Sequence, residues 1–175
     1  MKFVATPLPD AWIIEIEPRG DERGFLARTW CAEEFAAHGL NPRLVQCNIT
    51  FTKNKGTLRG MHFQKHPHWE AKLVRCTRGA IYDVILDLRP DSPTFKQWFA
   101  ATLTAENRTM LYVPEGFAHG LQTLEDDTEV FYQMSETYHP ESATGVRWND
   151  AAFGIEWPEG ERIIAPRDQE YSDFQ

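Results

Sequence analysis

The sequence predicts an antiparallel β-sandwich or β-barrel, and three observations carry that prediction. Apolar residues recur at every second position in many short runs. Turn-forming residues separate those runs at near-regular spacing. Only one segment, residues 32–38, has the composition of a convincing helix. With 42% hydrophobic residues in a chain of 175, there is apolar material for one ordinary domain spanning 1–175.

Residues 11–17, AWIIEIE, read as a strand. The next seven, PRGDERG, read as a turn, because Pro18, Gly20 and Gly24 break regular structure and Asp21 favours a local bend. Residues 25–30 read as a second strand. In the helix at 32–38, Glu33 and Glu34 suit the positive end of the dipole, and His38 followed by Gly39 suits the other end and a left-handed cap. From residue 44 the period changes to two. Val45, Cys47, Ile49 and Phe51 fall on one face; Gln46, Asn48 and Thr50 fall on the other, a polar face suited to solvent or to a wet pocket.

Residues 52–56 form a turn, 58–64 a strand interrupted by Gly60, and 65–70 a loop. Strands at 72–77 and 80–88 are joined at Arg78-Gly79, a hairpin signal. A Pro-rich turn at 89–95 leads to strands at 97–104 and 110–114, with a turn at 105–107 between them. Residues 115–120 read as a tight loop. Strands at 121–124 and 128–138 follow, broken at 125–127. Past Pro140 the chain turns irregular, and Trp148 and Trp157 are expected to pack over the outside of the barrel.

The net charge of −8 argues against a general nucleic-acid binder, and no apolar run is long enough to span a membrane. Cys31, Cys47 and Cys76 are too few and too widely spaced for a disulfide framework. They read as reduced core residues of a cytoplasmic protein without a signal peptide.

The chemistry concentrates in residues 56–72, GTLRGMHFQKHPHWEAK. His62 carries an imidazole, the side-chain type best suited to a general base. Lys72 shares strand parity with Val74 and Cys76, so it points inward, where an ammonium needs an anion or a polar partner. Arg59 and His62 are three apart and fall on opposite faces of an ideal strand, unless a bulge at Gly60 brings them together. Tyr132 alternates with Val130 and Met134, faces inward with them, and suits a general acid opposite a histidine. Asp83 and Asp168 both remain candidates to support that histidine. Arg23, Arg59, Gln46 and Asn48 are the residue types that grip phosphates and a sugar, although no phosphate-binding glycine loop is present.

The spacing in PEGFAHG at 114–120 is similar to the second half of the cupin signature, whose histidine, here His119, binds a metal. A metal-dependent reading uses His66, His68 and His119, although Glu70 follows His66-Pro67-His68 too soon for the usual ligand set. A third reading is a barrel that binds a sugar nucleotide without turning it over.

The chain as a whole resembles the dTDP-4-dehydrorhamnose 3,5-epimerases. The matching pieces are DERGF at 21–25, GTLRGMHFQ at 56–64, residues 72–95, PEGFAHG, VFYQMSETYHPE at 130–141 and GVRWND at 145–150. The resemblance implies a mainly β, cupin-type jelly-roll barrel, usually a homodimer that exchanges N-terminal strands and needs no metal or other cofactor. It implies a nucleoside-diphosphate-linked 4-keto-6-deoxy sugar as substrate. It places the base on His62, the enolate-stabilising lysine on Lys72, the acid on Tyr132 and the base's carboxylate on Asp168. It places substrate contacts on Arg23, Gln46, Asn48, Arg59, His119 and Tyr138. The chain departs from the family at Arg28, where a glutamate is common, and at Gln133, where a lysine is common. The nucleotide, and inversion at carbon 3, carbon 5 or both, stay open.

Overall fold

This computed structural model describes residues 1–174. In chain order its elements are β1 Lys2–Ala5, β2 Trp12–Glu15, β3 Arg19–Asp21, β4 Gly24–Leu26, α1 Ala32–Ala37, β5 Gln46–Thr52, β6 Thr57–Gln64, β7 Lys72–Arg78 and β8 Ala80–Asp87. Then come β9 Trp98–Thr104, β10 Met110–Val113, β11 Phe117–Thr123, β12 Thr128–Met134, β13 Ala143–Gly145, β14 Ile163–Ile164 and α2 Pro166–Gln169.

Two sheets face each other. One runs β1-β2-β10-β7-β12-β5 and the other β13-β6-β11-β8-β9, with β14 added beside β6. Apart from the parallel β14–β6 pair, the ladders are antiparallel, as short strands joined by tight turns require. This is the antiparallel barrel that the alternation of short strands predicts, in the cupin-type jelly-roll form that the family resemblance implies.

Strand β8 shows how the sequence builds three layers. It reads AIYDVILD, apolar at nearly every position, which suits a strand buried on both faces. Ile81 and Ile85 point inward and pack with Val74, Leu111 and Val130 of the facing sheet. Val84 and Leu86 point outward and are covered by Val146, Phe153 and Trp157. The outer face of the first sheet is covered likewise: Leu73 and Met110 pack against Phe35 of α1. Both Leu73 on the outside and Lys72 on the inside are therefore buried, and the parity expected for β7 holds.

Several expectations need correction. Lys2–Ala5, not read as structure in the sequence, pairs with β2. The turn at 18–24 supplies the arms of a small hairpin, β3–β4, and the strand expected over 25–30 is limited to Gly24–Leu26. Both are short, exposed pieces whose pairing depends on a neighbour rather than on an internal pattern. The loop expected at 115–120 is mostly strand: β11 starts at Phe117 and pairs with β8 across its whole length. The C-terminal segment covers the outside, as expected, but it also returns beside β6 and adds α2 to the barrel mouth. Cys76 is buried, but Cys47 is exposed, because the polar side chains of β5 take the inner face. Among the described residues no helix is long and apolar enough to cross a membrane.

Candidate active site

The interior of the barrel is filled by side chains at one end and open at the other, where a cavity of about 690 Å³ lies between the sheets. From the first sheet it receives Gln46, Asn48 and Thr50 of β5, Lys72 of β7, and Val130, Tyr132 and Met134 of β12. From the second it receives Arg59 and His62 of β6 and His119 of β11. The polar face of β5 thus lines a wet pocket, and its apolar face turns to solvent.

Arg59 and His62 reach the same cavity because the β6–β11 ladder slips at Gly60. His119 lies opposite His62, but Leu121 lies opposite Arg59, so β6 carries one residue more than β11 over that stretch. Gly60 sits at φ +142°, and a Cβ there would be 2.5 Å from the Cα of Gly120. Only glycine fits such a contact.

Each of the two facing histidines has its own carboxylate. His62 Nε2 lies 2.7 Å from Asp168 Oδ1, and the other oxygen of Asp168 accepts the Gly60 N–H at 3.2 Å. His119 Nε2 lies 2.8 Å from the fully buried Asp83. An ionised carboxylate only accepts, so His62 donates from Nε2 and keeps Nδ1 as its basic atom. Burial pushes the Asp168 carboxyl up, yet hydrogen bonding and charge from His62, with the Gly60 N–H and Arg167, hold it below the usual carboxylate range. The choice left open between Asp83 and Asp168 is resolved: Asp168 supports His62.

Across the cavity, Lys72 Nζ lies 2.8 Å from Glu70 Oε1 and 3.5 Å from the His62 carbonyl oxygen. Burial raises the Tyr132 phenol above its ordinary value, and the Glu70 charge pushes the same way. His62 and Tyr132 stand on different sheets and line one space, a placement in which an acid and a base can reach opposite faces of a flat molecule between them.

Tyr138 stands half-exposed at the rim, and its backbone N–H donates to Gln46. Of the residues expected for the epimerase site, Arg23 is the one that this chain's cavity does not include. It lies at the tip of the β3–β4 hairpin, exposed and paired with Asp21. The metal set His66, His68 and His119 does not converge. His66 packs on Trp69, His68 stacks on His139, and His119 is held by Asp83 inside the barrel. Two wall residues escaped sequence reasoning. In the sequence Glu70 reads as a metal ligand that arrives too soon; its i, i+2 spacing to Lys72 is the signal that puts both on one face. Gln64 had no such signal. It ties the loop at 65–71 to the rim by donating to the carbonyls of His68 and Thr137.

A β-barrel with a carboxylate-backed imidazole, a half-buried phenol and an ammonium around one cavity defines a general acid–base enzyme of the cupin class, an isomerase by its acid and base on facing walls. Comparison with known proteins gives the family. Residues 5–175 match the family model described as dTDP-4-dehydrorhamnose 3,5-epimerase. The Salmonella typhimurium dTDP-4-dehydrorhamnose 3,5-epimerase is 43% identical over 159 residues, covering 90% of this chain and 86% of that one. The crystal structure of the Elizabethkingia anophelis enzyme superimposes with a TM-score of 0.97 at 40% identity, covering 99% of this chain and 96% of its own. That of the Bacillus anthracis enzyme, with TDP and PPi bound, gives 0.94 at 41% identity and 99% coverage of both chains. The chain belongs to the dTDP-4-dehydrorhamnose 3,5-epimerase family.

Proposed function

We propose that this chain inverts carbons 3 and 5 of a dTDP-linked 4-keto-6-deoxyhexose, with His62 as base and Tyr132 as acid. The single observation that carries the reading is the placement of these two side chains on facing sheets around one cavity. The ketone at carbon 4 acidifies the protons on carbons 3 and 5. His62 Nδ1 removes one of them, and Asp168 steadies the imidazolium that forms. Lys72 meets the negative oxygen of the enolate, whose charge develops only as the proton leaves. Tyr132 returns a proton to the opposite face, and its raised pKa keeps it protonated through neutral pH and beyond. His62 and Tyr132 are then reset through solvent. No metal or other cofactor enters this scheme.

Gln46, Asn48, Arg59, His119 and Tyr138 are the substrate contacts in this reading, with the Arg59 fork suited to the diphosphate. A homodimer completes it. Val45, just before the edge strand β5, and Ile49 and Phe51 on it form an exposed apolar row, and Phe25 and Leu26 are exposed on the hairpin. We place these against a second copy, which would bring Arg23 to that copy's cavity. A reducing cytoplasm suits the free thiol of Cys47.

The test is nuclear magnetic resonance of a dTDP-linked 4-keto-6-deoxyglucose incubated with the protein in heavy water. Deuterium should enter carbons 3 and 5, and His62→Ala should slow entry about 10²- to 10⁴-fold. No exchange with dTDP-, CDP- or GDP-linked sugars would refute the epimerase reading. Exchange with the CDP or GDP sugar alone would move the nucleotide.

A further inference from the structure

Among the described residues that line the cavity, Glu70 alone has a buried side-chain oxygen or nitrogen with no hydrogen-bond partner, its Oε2. The residue is only 7% exposed. A buried carboxylate oxygen without a donor is costly, and such groups are rarely left so without a reason. The other wall carboxylate, Asp168, has both oxygens engaged. Glu70 spends one oxygen on Lys72, at 2.8 Å, and keeps the other.

Chemistry narrows what the second oxygen meets. A diphosphate avoids a carboxylate, so Glu70 belongs to the sugar end of the cavity, with Lys72 and Tyr132. A carboxylate only accepts, so its partner is a donor, and the donors on such a sugar are hydroxyls. In the epimerase reading, on which this inference rests, Lys72 holds the oxygen on carbon 4. The two oxygens of one carboxylate are joined through a single carbon. With Lys72 on the carbonyl oxygen and Glu70 Oε1 on Lys72, the hydroxyl that Oε2 meets falls on a carbon near the ketone. Of the two carbons flanking the ketone, carbon 5 bears a methyl group and carbon 3 bears the hydroxyl.

We propose that Glu70 is a specificity-determining residue whose free carboxylate oxygen accepts a hydrogen bond from the sugar's carbon-3 hydroxyl, while its other oxygen holds Lys72 against the carbonyl. The pair reads the hydroxy-ketone as a unit. A sugar lacking that hydroxyl leaves the carboxylate oxygen without a donor, a loss of the kind that discriminates strongly between analogues.

The experiment compares two dTDP-linked 4-keto sugars, one with and one without the carbon-3 hydroxyl, and follows deuterium entry at carbon 5, which both possess. The readout is the ratio of kcat/KM for the two sugars in the wild type, Glu70→Gln and Glu70→Leu. Being a ratio within one protein, it does not move if a variant is partly unfolded. The wild type should prefer the hydroxylated sugar roughly 10- to 100-fold. Glu70→Gln, which keeps an acceptor but loses the charge, should narrow the preference, and Glu70→Leu should abolish it. An equal ratio in all three proteins, or no preference in the wild type, overturns the role of Glu70 and leaves the epimerase reading standing. No exchange by the wild type with either sugar refutes both.

Discussion

Asp168 is 4% exposed, yet it carries a charge that burial opposes. It can do so because His62 and the Gly60 N–H donate to its two oxygens. The sign of the resulting pH dependence follows from the direction of its shift. The folded protein holds this carboxyl below the value of the unfolded chain, about 4. Its contribution to stability is therefore complete above that value and is lost as the pH falls through the lower folded one. Asp168→Asn should reduce the steepness of acid unfolding followed by circular dichroism. It should also lower kcat for exchange more than it raises KM, because the amide no longer stabilises an imidazolium.

At the scale of elements, the slip in the β6–β11 ladder decides whether the site exists. Two glycines, Gly60 and Gly120, let the strands approach, and the slip sends Arg59 and His62 into the same space. Gly60→Ala would place a methyl group against the backbone of Gly120 at a φ that L-residues rarely adopt. The expected cost is about 2–3 kcal/mol of stability. Thermal unfolding should show it as a lower Tm. Exchange activity should fall further than the loss of folded protein accounts for, since the clash falls on His119 and Gly120, in the part of the ladder that pairs with His62.

For the whole molecule, exposed apolar groups on β5 and on the β3–β4 hairpin remain once both sheets are covered. Sedimentation of the wild type should give twice the mass of one chain. Leu26→Asp with Ile49→Asp should give the mass of one chain, with weaker substrate binding if Arg23 serves the other copy. A wild type that sediments as a monomer would remove the dimer and leave Arg23 without a role in the site.

Much of the architecture was legible in the residues themselves. Strand parity is a local property with a period of two, so the inward set Lys72, Val74, Cys76 and the inward set Val130, Tyr132, Met134 could be read before any contact was known. Gly60 was legible as a residue that permits a bulge, but only the folded ladder decides that the bulge forms and turns Arg59 and His62 to one side. What could not be read were partnerships between segments distant in the chain. Asp83 and Asp168 are equivalent on paper as supports for His62. The antiparallel pairing of β8 with β11 gives Asp83 to His119, and the return of the C-terminus beside β6 gives Asp168 to His62. The unsatisfied oxygen of Glu70 and the exclusion of Arg23 from its own chain's cavity belong to the same class. Local pattern determines which way a side chain points; only the folded chain decides what it meets, because that depends on loop closures whose ends lie up to 108 residues apart, the separation of Gly60 and Asp168.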